Sequence, residues 1–261
     1  MSEDEYHVTL SNGLKFPLLG YGSTWLSTDP EKLKASLRVA LDTGYRYIDT
    51  ASLYNNEHII GEVLQEYYDA GKLKREEVFI ASKLPSQGHH KEGEQRKMRP
   101  IHSNKLFRRR IELHIYHRRR DLVDLCKKLN ISVTSYATLG KQLHFVHFFL
   151  MAASLGSPGR FEDLKKLAPN RQFPDKDLLH HPLLADKHKK TAAQVLLRHL
   201  IQLKISVIPK SLTKERIQEN FDIFDFRLTK DEMDRFDTEI KEDIKFFEYI
   251  HVRTHPFFPP Y

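Results

Sequence analysis

Apolar positions fall alternately into short continuous runs and into helical spacing, and the two kinds of segment follow one another along the chain. Residues 8–10 and 15–17 flank Ser11-Asn12-Gly13, and Asn-Gly between short apolar runs predicts a hairpin. Leu18 to Tyr21 predicts a strand ending at Gly22. Asp29-Pro30-Glu31 then starts a helix, with Asp29 as N-cap and proline at the first helical position. Leu33, Leu37, Ala40 and Leu41 mark its buried face, and Gly44 stops it. A strand over Tyr45 to Ile48 places Asp49 at its C-terminal end. A helix from about Asn56 to Ala70 follows, and a strand over Val78 to Ser82 ends beside Lys83.

The alternation then fails. Ser86 to about Arg110 shows no clean period, only His, Lys, Arg, Gly and Gln. It resumes with a strand at Ile111 to Ile115, a helix carrying Leu122, Val123, Leu125 and Leu129, and a strand at Ile131 to Tyr136. Gly140 to about Lys190 is irregular, a length of loop unusual inside a compact domain. Three more segments close the pattern: a helix over Thr191 to Leu203, a strand at Ser206 to Ile208, and a helix from Thr213, a plausible N-cap, to Asn220. The last helix, Thr229 to Ile240, opens with Thr229-Lys230-Asp231-Glu232, a capping box.

Strand–helix alternation of this kind predicts parallel strands with right-handed crossovers. The chain of 261 residues suits one α/β domain, since closed parallel barrels need about 250 residues and eight strands. About six strands are legible. The predicted fold is therefore an incomplete (β/α)8 barrel, one domain over 1–261 interrupted at about 86–110 and 141–156.

Charge changes this picture locally. The net charge is +7, yet residues 89–120 hold eleven Lys and Arg against three acids. Such a block admits nucleic-acid binding, although no recognised nucleic-acid module surrounds it; a solvated segment is the plainer alternative. The single cysteine, Cys126, excludes an internal disulfide and suits a reducing compartment. The acidic start, Met1 to Glu5, lacks the apolar run of a secretory signal. The longest apolar stretch, Leu143 to Leu155, is too short to span a bilayer. A cytoplasmic protein is expected.

Two groups of residues carry candidate chemistry. Asp49, Tyr54 and Lys83 lie at or just beyond strand C-termini, where barrels of this class place functional groups. A free phenol titrates near about 10 and donates protons poorly at neutral pH. An adjacent ammonium favours the phenolate, and a carboxylate keeps that ammonium charged and in place. The three residues can thus form one proton-delivery unit, or a buried ion pair beside a surface tyrosine. The second group is Val207-Ile208-Pro209-Lys210-Ser211-Leu212-Thr213-Lys214-Glu215-Arg216, a strand running into a helix N-terminus. Backbone N–H groups there favour an anion, and Lys210, Ser211 and Arg216 suit a phosphate. A capped helix with solvated cations is the alternative.

The runs Asp42-Thr43-Gly44-Tyr45-Arg46-Tyr47-Ile48-Asp49-Thr50-Ala51 and Tyr54-Asn55-Asn56-Glu57 resemble the aldo-keto reductase signature. Ile208-Pro209-Lys210-Ser211 with Arg216, Glu219 and Asn220 is similar to a second family motif. Gly22, Thr24, Trp25, Ser82-Lys83-Leu84 and Ser135-Tyr136-Ala137 match as well. The resemblance covers roughly residues 6–90, 111–140 and 156–261. It implies NADPH-dependent reduction of aldehydes or ketones by a monomer. Tyr54 would be the proton donor, tuned by Lys83 and Asp49. Thr24 and Asp49 would lie at the cofactor, Trp25 would line the substrate pocket, and Tyr136 would stack on the nicotinamide. Lys210, Ser211 and Arg216 would hold the 2′-phosphate, Glu219 and Asn220 would contact the adenine, and the aromatic tail Phe246 to Tyr261 would wall the substrate site.

The chain also departs from the family. No strand matches the one that brings a carbonyl-orienting histidine, and His89, His90 and His102 lie in aperiodic sequence. The Ser-Asn pair and the Gln that grip the carboxamide are absent, and Arg110-Ile111 stand where that Gln is expected. The resemblance thus implies that about two strands and three helices are missing between residues 84 and 111. Lys141 to Gly156 is an insertion, and Ala153-Ser154-Leu155-Gly156 partly echoes Ala137-Thr138-Leu139-Gly140. An impaired NADPH-binding remnant, a splice form or gene-model artefact, stays open beside the working reductase. Poor folding is expected of the chain as written, because open strand edges leave backbone groups unpaired.

Overall fold

The computed structural model describes residues 5–24, 29–83, 108–140 and 182–238, together with Asp243 and Lys245. The expected hairpin forms first. Strand β1 (His7–Thr9) pairs antiparallel with β2 (Lys15–Pro17), and the chain reverses through Gly13 at a φ of 85°. Next come β3 (Tyr21–Gly22), α1 (Pro30–Thr43), β4 (Tyr47–Asp49), α2 (Glu57–Asp69) and β5 (Phe79–Ala81). Asp29 caps α1 as expected, its carboxylate accepting from the backbone N–H of Glu31 at 3.0 Å. Gly44 ends the helix at a φ of 118°, with the Phe221 ring 2.9 Å from where a Cβ would stand.

The second half carries β6 (Arg108–Glu112), α3 (Arg120–Lys128), β7 (Ser132–Tyr136), α4 (Pro182–His188), α5 (Ala192–Gln202), β8 (Ser206–Val207), α6 (Lys214–Phe221) and α7 (Lys230–Thr238). Three local expectations need correction. The strand expected from Ile111 begins at Arg108, because pairing of Arg108 with Ser132 and Arg110 with Thr134 overrides the lack of an apolar period. Helix α4 lies inside a stretch expected to be irregular; Leu184 and Ala185 bury in a cluster with Val195 and Phe236. Thr213 occupies the N-cap of α6, but its hydroxyl makes no capping bond. Its backbone N–H is instead held by the Ser211 hydroxyl at 3.0 Å. At α7 the capping box is formed: Thr229 N–H donates to Glu232 at 2.7 Å, and the Thr229 hydroxyl accepts from Glu232 N–H at 3.3 Å.

The sheets are parallel, in the orders β3-β4-β5 and β6-β7-β8. They join between β3 and β8. Leu19 bridges Val207, the N–H of Val207 donates to Leu18 at 2.8 Å, and the N–H of Gly20 donates to Val207 at 2.8 Å. The continuous order is therefore β5-β4-β3-β8-β7-β6, an arc of six parallel strands. Among the described residues neither β5 nor β6 has a neighbour on its outer edge, so the barrel is incomplete and does not close.

Helices cover the arc. Leu33, Leu37, Ala40 and Leu41 of α1 share one buried cluster with Ile60, Val63 and Leu64 of α2 and with Ile217 of α6. This is the face that the sequence period marks. The hairpin packs at the start of the strands: the Phe16 ring lies 4.7 Å from Tyr47, the first residue of β4, and 5.3 Å from Phe79, the first of β5. The opposite mouth, at the strand C-termini, is left for chemistry.

Candidate functional site

Asp49 is the last residue of β4, and strand alternation turns its carboxylate to the same inner face as Tyr47. It is 2% exposed. A carboxylate this deep requires charged partners. Lys83, two residues beyond β5, supplies one: its ammonium lies 2.8 Å from Asp49 Oδ1 and donates to the Thr50 carbonyl at 2.6 Å. The same ammonium stands 4.3 Å from the centre of the Tyr54 ring. Tyr54 ends a short 3-10 turn, Ser52–Tyr54, closed by Asn55 in the left-handed region at a φ of 50°. The predicted carboxylate, ammonium and phenol therefore meet at one strand mouth.

The loop that presents Tyr54 is braced from below. Asn56, buried at the start of α2, donates to the Ser23 carbonyl at 2.9 Å and accepts from the Thr50 hydroxyl at 2.8 Å. Ser23 in turn donates its hydroxyl to the Asp49 carbonyl at 2.9 Å. Thr50 and Asn56 fall within the two signature runs, yet their bonds to each other and to Ser23 form only when folding brings these segments together.

Burial alone would raise the Tyr54 phenol, but hydrogen bonding with Lys83 and Thr24 and the charges of Lys83 and Arg110 outweigh it. The phenol sits below its ordinary value. Arg110 is the larger surprise. Its guanidinium Nη1 lies 2.5 and 2.6 Å from the two oxygens of Asp49, and its Cζ stands 5.4 Å over the Tyr136 ring. Asp49 thus holds two cations. Arg108, on the same inner face, donates to the Tyr47 hydroxyl at 2.5 Å and covers the Phe16 ring at 4.9 Å.

Among the described residues of the basic block, Arg118, Arg119 and Arg120 are also paired. Arg118 donates to the Phe236 carbonyl at 2.8 Å, Arg120 pairs with Asp237, and Arg119 pairs with Asp121 at 3.7 Å.

The second predicted group lies where β8 runs into α6. Gly22 N–H donates to the Pro209 carbonyl at 3.0 Å, and the Tyr21 hydroxyl donates to the Ser211 carbonyl at 2.9 Å, fixing this turn to the end of β3. A Cβ at Gly22 would stand 2.7 Å from the Ile208 carbonyl oxygen, so this approach requires glycine. Partial burial draws the Lys210 ammonium below its ordinary value, and the charge of Tyr54 opposes that. Lys210 therefore lies within electrostatic reach of the first group. Arg216 is exposed on the first turns of α6, and Asn220 is buried at its end. Glu219 accepts from the Thr191 hydroxyl at 2.6 Å, tying α6 to α5. Trp25, the histidines at 89, 90 and 102, the insertion 141–156 and the tail 246–261 lie outside the described residues. Among the described residues no cluster of three metal-binding side chains exists, and no helix is long and apolar enough to cross a membrane.

Comparison with known proteins agrees with this architecture. The family model described as "Aldo/keto reductase family" matches residues 18–112 and 108–241. The two matches meet on β6, where the sheet order jumps. Aldo-keto reductase family 1 member D1 of Rattus norvegicus is 30% identical, over 99% of this chain and 98% of that protein. That alignment runs over 323 positions, against 261 residues in this chain. The 9,11-endoperoxide prostaglandin H2 reductase of Trypanosoma cruzi (strain CL Brener) is 30% identical, over 90% of this chain and 92% of that one. Among solved structures, a Bombyx mori aldo-keto reductase in complex with NADP superposes with a TM-score of 0.71 at 22% identity, covering 96% of this chain and 97% of that one. The aldose reductase of Schistosoma japonicum gives 0.64 at 26%, covering 92% and 94%. A parallel α/β arc with a carboxylate, ammonium and phenol at its mouth, matched in two segments by one family, leads to one conclusion: the chain belongs to the aldo/keto reductase family, as a barrel shortened between β5 and β6.

Proposed function

We propose that this chain reduces an aldehyde or ketone to an alcohol with NADPH, and that Tyr54 donates the proton. The observation that carries the reading is the Lys83 ammonium, 2.8 Å from buried Asp49 and 4.3 Å from the Tyr54 ring. The turn from β8 into α6 supports NADPH as the cofactor at its phosphate end. Lys210, in the turn before an eight-residue helix, and Arg216, in that helix's first turn, offer positive charge on either side of Ser211 and the helix N-terminus. Glu219 and Asn220 stand at the far end of that helix for the adenine, and Thr24 and Asp49 stand at the mouth. Tyr136 would carry the nicotinamide, and Trp25 would line the substrate side.

When bound, NADPH supplies the hydride that the carbonyl carbon takes. The carbonyl oxygen takes the proton of the Tyr54 hydroxyl. Lys83 stabilises the phenolate left behind, Asp49 holds Lys83 in place, and solvent returns the proton to Tyr54. Lowering the phenol toward working pH makes this donor effective, a contribution of about 10²–10⁴ in rate.

The test uses the full chain, NADPH and a reactive aromatic aldehyde, with loss of NADPH absorbance as the readout. Turnover that falls about 10²–10⁴-fold in Tyr54→Phe supports the reading. NADPH binding without oxidation would instead favour a second reading, a cofactor-binding remnant. One observation favours that alternative: no described strand stands between β5 and β6 to bring a further donor to the carbonyl.

A further inference from the structure

Alternation along β6 puts Arg108, Arg110 and Glu112 on one face, and alternation along β4 does the same for Tyr47 and Asp49. The two faces meet in rungs. Arg108 reaches Tyr47 at 2.5 Å, and Arg110 reaches Asp49 at 2.5 and 2.6 Å, each across 61 residues of sequence. Asp49 Oδ1 also receives Lys83 at 2.8 Å. One carboxylate therefore sits between two cations, and positive charge is left over at the mouth. The groups whose charge bears on the Tyr54 oxygen or its partners are Lys83, Arg110, Lys210 and Asp49, three cations against one anion.

We infer that Arg110 is a positioning residue of the proton-delivery unit, a second cation fastened on Asp49 that serves the Tyr54 oxygen alongside Lys83. This rests on the reductase reading above and adds a residue to it. The guanidinium suits the task because it is planar with donors along several edges. It engages both oxygens of Asp49, the carboxylate that also holds Lys83 over the Tyr54 ring, and its charge favours the Tyr54 phenolate. It stays charged at every working pH, so it stabilises the phenolate throughout turnover. Its side chain is 22% exposed, which places it at the mouth rather than sealed within the sheet.

The test is a near-ultraviolet tyrosinate titration of the full chain without cofactor or substrate, with Tyr54→Phe subtracted to isolate one phenol of eleven. Wild type should show a tyrosine that ionises below the ordinary phenol range. In Arg110→Met its midpoint should rise by about one pH unit, and Arg110→Lys should recover most of that shift. Arg110→Met leaves Asp49 paired with Lys83, so no buried charge is orphaned. Arg110→Gln, which keeps a donor to Asp49, answers the same question should the methionine variant not fold. An unchanged midpoint in Arg110→Met or Arg110→Gln overturns the inference while leaving the reductase reading intact, as does a lysine variant that behaves like methionine. A wild-type Tyr54 that titrates as an ordinary phenol overturns both. The alkaline limb of kcat should move in the same direction.

Discussion

His199 shows how one buried side chain sets a condition on the molecule. It lies in α5, 4% exposed, with its ring 4.3 Å from Phe236 and no partner for Nδ1 among the described residues. Burial, helped by the charges of Arg118 and Arg120, pushes its imidazole down to about 4. The unfolded chain takes up this proton near the ordinary 6.5. Between those values the unfolded state binds more protons, so stability falls as the pH drops from about 6.5 to about 4 and is unaffected by this group below that. The loss expected is on the order of 3 kcal/mol. His199→Leu should flatten that part of the pH dependence, read as denaturant midpoints at pH values across the window. An acid limb unchanged by the substitution would contradict the assignment.

At the scale of elements, the turn from β8 into α6 is the unit to test. Helix α6 is fixed from two sides: by the Tyr45 hydroxyl on the Ile217 carbonyl at 3.1 Å, and from the start of α5 by Gln194 on the Glu219 carbonyl at 3.0 Å and Thr191 on the Glu219 side chain at 2.6 Å. These bonds, with those of Gly22 to the Pro209 carbonyl and Tyr21 to the Ser211 carbonyl, hold the helix and the turn that carry Arg216 and Lys210. Charge-assisted bonds to a phosphate typically contribute about 1.5–3 kcal/mol each. Replacing both residues by alanine should weaken NADPH binding by about 10²-fold, while NADH binding changes little. Fluorescence titration with the two dinucleotides separates the outcomes, and equal loss for both would remove the 2′-phosphate assignment. The elements themselves were well legible in the sequence. Asp29, Gly44, Thr191 and Thr229 act at helix ends where their side-chain chemistry predicts. The start of β6 was not, because the three arginines there carry no strand period, and only pairing with β7 makes them strand.

At the scale of the molecule, six parallel strands form an arc whose two ends, β5 and β6, lack a described neighbour. Exposed strand edges template association, and Ile80 at the middle of β5 is 39% exposed. Marginal stabilities of about 5–15 kcal/mol leave little room for lost inner packing. The full chain is expected to show a broad thermal transition with concentration-dependent light scattering. A single cooperative melt of a soluble monomer would overturn this. The inward arginines reduce the deficit. Arg108 and Arg110 reach from β6 to β4 and tie the two sheets together near the open side of the arc, through bonds to Tyr47 and Asp49.

The sequence alone determined what depends on near neighbours: helix caps, the buried stripes of α1 and α2, and the positions of Asp49 and Lys83 at strand ends. These follow from backbone geometry and side-chain period, which act over a few residues. It also carried the family resemblance and the shortfall between residues 84 and 111. Only the tertiary structure decided where Arg108 and Arg110 of the basic block point. An arginine in a run of three reads as solvated, and nothing local reveals a buried carboxylate 61 positions away. Burial of Asp49 makes that long-range pairing decisive, because a carboxylate removed from water draws in whichever cations the fold places within reach.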